Sequence, residues 1–207
     1  MSKRFILLAI LFNVCLIASN LFETKIFTWG SVVLTGGLLI FPVSYIINDC
    51  LTEIWGYRNA RFVIWTAFAM NILVVGTAQI VRILPPAAFW DGQEHFDFIF
   101  RTDLRITAAS MLAFVCGSLV NSLIMDRMRR ASDSGRGFGW RAILSTLGGE
   151  SLDSVIFFPI AFYGVGMRNM LIMMLTQIIL KTAYEIAVLP VTARVVKNLR
   201  KTENAIQ

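Results

Sequence analysis

Residues 142–163 read AILSTLGGESLDSVIFFPIAFY and residues 169–193 read NMLIMMLTQIILKTAYEIAVLPVTA. Both runs are long and apolar, yet each carries charge near its middle: Glu150 with Asp153 in the first, Lys181 with Glu185 in the second. An ionised side chain at bilayer depth costs about 2.5–3.5 kcal/mol on insertion scales, so uncharged residues are the default there. Charges at this depth imply a ligand, an ion, or partners across a helix bundle. These two runs therefore decide both the fold class, an all-α integral membrane protein, and where its site should be sought.

Composition agrees with that class. Of the 207 residues 57% are hydrophobic and 15% charged, and the mean hydropathy is +0.68. That is more apolar surface than one soluble core of this size would bury. The net charge of +6 does not point to nucleic acid, because the basic residues sit in short flanks between apolar runs rather than in one patch with interleaved aromatics. Cys15, Cys50 and Cys116 lack metal spacing and read as small buried hydrophobes.

Four stretches, Phe5 to Phe22, Ile26 to Asn48, Phe62 to Val81 and Ile106 to Met125, contain no Asp, Glu, Lys or Arg. Each can cross a hydrocarbon core, which takes about 17–25 helical residues. With the two charged runs they predict six transmembrane helices at roughly 5–22, 31–48, 62–82, 105–125, 142–163 and 169–193, in a single domain covering residues 1–207. The first run, following Lys3 and Arg4, is expected to be a retained helix, because it lacks a small-residue cleavage site and Glu23-Thr24-Lys25 follows directly. With both termini in the cytoplasm, thirteen basic residues flank the inner side and five, Lys25, Arg82, Arg101, Arg105 and Arg168, the outer side. The outer connection 83–103 reads as a solvated loop, and the glycine-bearing basic segment 127–141 as a flexible cytoplasmic link. A short echo between Gly56-Tyr57-Arg58-Asn59 and Gly166-Met167-Arg168-Asn169 raises the expectation of two inverted three-helix repeats, an arrangement that places ligand sites at the repeat interface.

Helical spacing groups the polar residues. Tyr45, Asp49 and Glu53 are successive i, i+4 neighbours, with Asn48 and Thr52 adjacent. Pro42, one turn earlier, is expected to bend or break that helix. Glu150 and Asp153 are i, i+3, and Gly148-Gly149 permits close approach of another backbone or a ligand. Gln177, Lys181 and Glu185 form a third stripe, with Tyr184 beside it. The plain structural alternative is that Lys181 neutralises Glu185 on its own helix and Glu150 or Asp153 across the bundle, locking helices together; buried ion pairs contribute little stability, because desolvation rivals the Coulombic gain. These four groups sum to excess negative charge, which suits a cationic ligand, a proton or a sodium ion. Asn13, Asn20, Asn71, Gln79 and Asn121 read as helix–helix contacts.

Two further runs carry a family resemblance: Ser19-Asn20 with Lys25, and Phe41-Pro42-Val43-Ser44-Tyr45-Ile46-Ile47-Asn48-Asp49-Cys50-Leu51-Thr52-Glu53-Ile54-Trp55-Gly56-Tyr57. Together with Gly149-Glu150-Ser151-Leu152-Asp153-Ser154, Phe157 to Phe162, and the series Gln177, Lys181, Glu185, Pro190, they closely resemble the queuosine precursor transporter family, also called the vitamin uptake transporter family. The likeness runs from about Phe5 to Lys197. It implies import across the bacterial inner membrane of the 7-deazaguanine bases preQ0 (cyano) and preQ1 (aminomethyl) for transfer-RNA queuosine salvage. On this reading the substrate-binding residues are Glu150, Asp153, Lys181, Glu185, Gln177, Asp49, Glu53, Tyr45, Asn48 and Asn20.

Neither a metal nor a cofactor is expected, the partners being the substrate and the lipid, with no nucleic acid; monomer and homodimer both stay open. No GxxxxGK phosphate loop is present, so the chain is not expected to hydrolyse ATP itself. No HExxH or GxSxG motif supports an enzyme. The remaining choice lies between a secondary carrier and a substrate-binding membrane subunit of an ATP-driven uptake complex.

Overall fold

The computed structural model describes residues 2–22, 24–29, 32–100, 104–131, 137–161, 163–164 and 166–204. In chain order the elements are α1 (Lys3–Phe22), β1 (Ile26–Trp29), β2 (Val32–Thr35), a 3-10 turn (Gly36–Leu39), α2 (Phe41–Trp55), α3 (Tyr57–Arg82), α4 (Gln93–Phe100), α5 (Leu104–Arg130), α6 (Phe138–Ala161) and α7 (Met167–Asn204). Among the described residues six helical segments are long and apolar enough to cross a membrane. Among the described residues the regular structure is helical apart from one short antiparallel hairpin, in which Ile26 pairs with Thr35 and Trp29 with Val32.

That hairpin corrects the expected second span. The absence of charge from residues 31–48 predicts one helix there, but hydropathy alone does not distinguish a helix from paired strands. The stretch Ile26 to Thr35 is rich in β-branched and aromatic residues, which favour the extended state. The helix starts at Phe41 instead, so Asp49 and Glu53 lie inside it rather than trailing from its end. Pro42 likewise bends no helix interior. It occupies the first turn of α2, where its missing N–H leaves no bond unmade. The solvated outer loop contains the eight-residue helix α4, whose Gln93 amide donates to the Arg82 carbonyl oxygen at 3.2 Å. α6 begins earlier and α7 ends later than expected, and the flexible-link reading of 127–141 falls largely on residues 132–136, outside those described.

The bundle has an apolar side and a polar side, and α2 divides them. Towards α1, α3 and α5 it presents Ile47 and Leu51, which join Phe5, Phe12, Leu16, Val63, Ile64 and Phe114 in the hydrophobic core. Towards α5, α6 and α7 it presents Asn48, Asp49, Thr52 and Glu53, all buried. The outer surface is apolar, with Ile6, Leu7 and Val14 of α1, Phe62 and Leu73 of α3, and Leu175 and Ile179 of α7 exposed. Such an inverted distribution of polarity is what lipid as solvent requires.

α5 and α6 pack closest, through glycine. A Cβ on Gly117 would lie 2.9 Å from the Gly149 carbonyl oxygen and 2.8 Å from the Tyr45 hydroxyl, and one on Gly149 2.8 Å from the Gly117 carbonyl oxygen. Small residues at such crossings let membrane helices approach without voids. The close approach read at Gly148-Gly149 is thus made by α5, through its backbone at Gly149 and the Ile124 side chain at Gly148. Gly56, at φ +81°, turns the chain from α2 into α3.

Candidate functional site

α2, α5, α6 and α7 bring the polar residues together in three tiers along the bundle. Tyr45, Asp49 and Glu53 of α2 mark successive tiers, each about one helical turn, or 5.4 Å, from the next.

In the first tier the Lys181 ammonium of α7 donates to Glu150 Oε2 of α6 at 2.8 Å, and Asp153 Oδ2 lies 3.8 Å away. Lys181 and Asp153 are each 8% exposed and Glu150 is 1% exposed, so all three charges are held within protein. The ammonium also sits over the Phe41 ring, 4.2 Å from its centroid. The buried Tyr45 ring packs against Phe41 with centroids 5.7 Å apart. Flat aromatic surface, two carboxyls and one ammonium therefore converge at one place.

In the second tier Asp49 Oδ1 accepts from Asn121 Nδ2 of α5 at 2.6 Å and from the Ser145 hydroxyl of α6 at 3.4 Å. The Glu185 carboxyl of α7 lies against that of Asp49, with Thr146 of α6 beside it. Lys181 and Glu185 share a stripe on α7, but Glu185 faces this tier while the ion pairs of Lys181 run to α6. Asn48 donates to the Ser118 carbonyl oxygen at 3.3 Å and accepts from the Ser122 hydroxyl at 3.1 Å, which ties α2 to α5.

The third tier centres on Glu53, whose carboxylate takes Arg141 Nε at 3.2 Å and a terminal guanidinium nitrogen at 2.7 Å, a two-point clasp. Arg200, near the end of α7, donates to the same carboxylate. A cavity of about 380 Å³ opens beside it, lined among others by Phe138, Val196, Lys197 and Lys201.

Of the residues singled out from sequence, Glu150, Asp153, Lys181, Glu185, Asp49, Glu53, Tyr45 and Asn48 line these tiers. Gln177, one turn before Lys181, is half-buried, as is Asn20 on α1; among the described residues no hydrogen bond of either reaches the tiers. Sequence reasoning counted Arg141 and Arg200 only as flanking charges and Asn121 as a helix contact. Arg141, on the first turn of α6, is 3% exposed, and its lining up with Glu53 needed the helix packing. Among the described residues no group of three His, Cys, Asp or Glu side chains is arranged to hold a metal ion.

A family profile described as putative vitamin uptake transporter matches residues 35–195. The chain is 31% identical over 134 residues to a probable queuosine precursor transporter of Haemophilus influenzae, covering 62% of this chain and 52% of that protein. It is 26% identical over 149 residues to a probable queuosine precursor transporter of Bacillus subtilis, covering 72% and 65%. With the queuosine precursor transporter of Escherichia coli it shares 28% identity over 132 residues, covering 62% and 55%. These matches thus span between about half and two thirds of the relatives' lengths. No solved structure matches the chain.

Proposed function

The chain belongs to the putative vitamin uptake transporter family, that of the queuosine precursor transporters, and on that premise we propose that it imports the 7-deazaguanine bases preQ0 and preQ1 across the bacterial inner membrane as a secondary carrier. It is a multi-pass membrane protein of six apolar helices. The observation that carries the substrate reading is the first tier, where Lys181 lies between Glu150 and Asp153 against the Phe41 ring.

A guanine-like edge offers two adjacent donors, the ring N–H and the amino group, which one carboxylate can accept together. Its carbonyl oxygen takes a donor, a role open to Lys181 or Gln177. Tyr45 and Phe41 supply aromatic surface for the flat ring. Glu150 and Asp153 exceed Lys181 by one negative charge, which matches the cationic aminomethyl group of preQ1. Lys181 therefore has two states: paired to Glu150 when the site is empty, and turned towards the base carbonyl when Glu150 accepts the base edge.

With basic residues inside, the third tier is the cytoplasmic end of the path. Glu53, clasped by Arg141 and Arg200, then closes that end between α2, α6 and α7, and its release opens the site inwards. The inverted-repeat reading is compatible with such alternation.

The test is uptake of labelled preQ1 into proteoliposomes containing this chain alone. Accumulation is expected, with loss in Glu150→Ala and Lys181→Ala variants that insert normally. Uptake intact in those variants sinks the site assignment. Binding without uptake transfers the chain to the role of substrate-binding subunit in an ATP-driven complex.

A further inference from the structure

We propose that the second tier is a separate ligand site, which holds one small monovalent cation, sodium or a proton, between Asp49 of α2 and Glu185 of α7. The family resemblance counts Asp49 and Glu185 among the substrate contacts, but the first tier already supplies the carboxyls, the ammonium and the rings that a 7-deazaguanine needs, which leaves this pair for a second ligand. The further step, that this cation drives import, rests on the transport reading given above.

Four buried oxygens meet in this tier: Asp49 Oδ2, Glu185 Oε2 and Asn121 Oδ1 take no donor of full hydrogen-bond geometry, and Thr146 Oγ1 lies beside the Glu185 carboxyl. Their residues are 0%, 3%, 0% and 2% exposed. They come from α2, α7, α5 and α6, one from each helix of the polar side. Asn121 is held in place because its Nδ2 donates to Asp49 Oδ1 at 2.6 Å. Its carbonyl oxygen is thereby left as an acceptor at the edge of the carboxyl pair. Unmet buried acceptors are costly, and two facing carboxyls with the Asn121 and Thr146 oxygens beside them make an environment that lacks positive charge.

The donor set specifies the ligand. Every unmet atom is oxygen, the preference of hard cations, and soft thiolate or imidazole ligands take no part. Two carboxyls in contact hold a single negative charge when they share one proton, and with two neutral oxygens they suit one monovalent ion. The nearest charged groups belong to the flanking tiers, Lys181 from α7 with Glu150 and Asp153 from α6 on one side and Glu53 from α2 on the other; Tyr45 and Cys50 of α2 are the titratable neutral groups beside Asp49, and α5 contributes the neutral Asn121. Lys181 is engaged by Glu150 at 2.8 Å, and Arg141 and Arg200 are engaged by Glu53. The cation must therefore come from solution.

Position explains its use. Asp49 lies one turn from Tyr45 of the first tier and one turn from Glu53 of the third. A cation joining α2 to α7 here favours one helix arrangement, and by linkage it strengthens substrate binding to that same arrangement as much as substrate strengthens cation binding.

The experiment uses the purified full chain in detergent, without substrate. Its thermal unfolding midpoint is followed against sodium at fixed pH, with choline replacing sodium, and against pH in choline. Wild type is compared with Glu185→Gln and with Asn121→Ala, which retains both carboxyls if the first variant folds poorly. A rise of several degrees with sodium in wild type, absent from the variants, identifies sodium. Indifference to sodium with a pH dependence in wild type that the variants lose identifies the proton. Identical sodium and pH responses in all three proteins overturn the proposal. Labelled preQ1 binding to the same preparations reports separately on the transport reading, so failure of one is not mistaken for failure of the other.

Discussion

The Lys181 ammonium of α7 and the Glu150 carboxylate of α6 meet at 2.8 Å with both residues buried. Removing one partner from a buried pair leaves the other uncompensated, at a cost of about 3–5 kcal/mol. Lys181→Met should therefore lower the unfolding midpoint sharply and abolish uptake. The double variant Lys181→Met with Glu150→Gln should recover part of the stability, Asp153 still lacking its cation, and none of the uptake. Thermal unfolding and transport measured on the same preparations separate the two effects. Recovery of both would reduce the pair to a helix lock.

Glu53 sets up an unequal pair of arginines. Arg141 binds it at two points with its side chain 4% exposed, while Arg200 binds it with its side chain 38% exposed. Arg200→Ala leaves Glu53 clasped and water at hand, so the expected loss is about 1 kcal/mol or less. Arg141→Ala strips the buried carboxylate of its two-point partner and should cost several-fold more. If Arg200 is the releasable half of the latch, Arg200→Ala should also raise the labelling, by a membrane-impermeant thiol reagent from the cytoplasmic side, of a cysteine placed at Ser145. Unchanged labelling would assign Arg200 to docking the α7 tail.

The burial of Glu150, Asp153, Lys181 and Glu185 within the bundle was legible in the sequence because charge inside an apolar run is visible without coordinates. So was the stripe of Tyr45, Asp49 and Glu53, whose spacing is helical. What the spacing did not reveal was pairing between helices. Lys181 and Glu185 lie four apart and are natural intrahelical partners, yet packing sends one to α6 and the other to Asp49. Arg141 and Arg200 counted as flanking charge, since the reach of a long side chain back to Glu53 depends on how α6 and α7 lie against α2. The hairpin at Ile26 to Thr35 was missed because an uncharged apolar run satisfies both a helix and a pair of strands.

Glycine in these helices is expected to act in two opposite ways, and the contrast between Gly149 and Gly76 tests the packing of the bundle. A methyl group on Gly149 would meet Asn121 Cβ and the Gly117 carbonyl oxygen, each at 2.8 Å. Backbone cannot swing aside, so α5 and α6 must separate; overpacking of this kind costs about 1–3 kcal/mol. The shift would also carry Asn121 away from Asp49. At Gly76, on α3, an added Cβ meets nothing within 4 Å, and alanine gains about 0.5–1 kcal/mol over glycine within a helix. Gly149→Ala should thus lower the unfolding midpoint and impair uptake, whereas Gly76→Ala should hold or raise the midpoint and leave uptake unchanged. Equal behaviour of the two variants would mean that α5 and α6 do not touch at Gly149, and the placement of Asn121 beside Asp49 would fall with that contact.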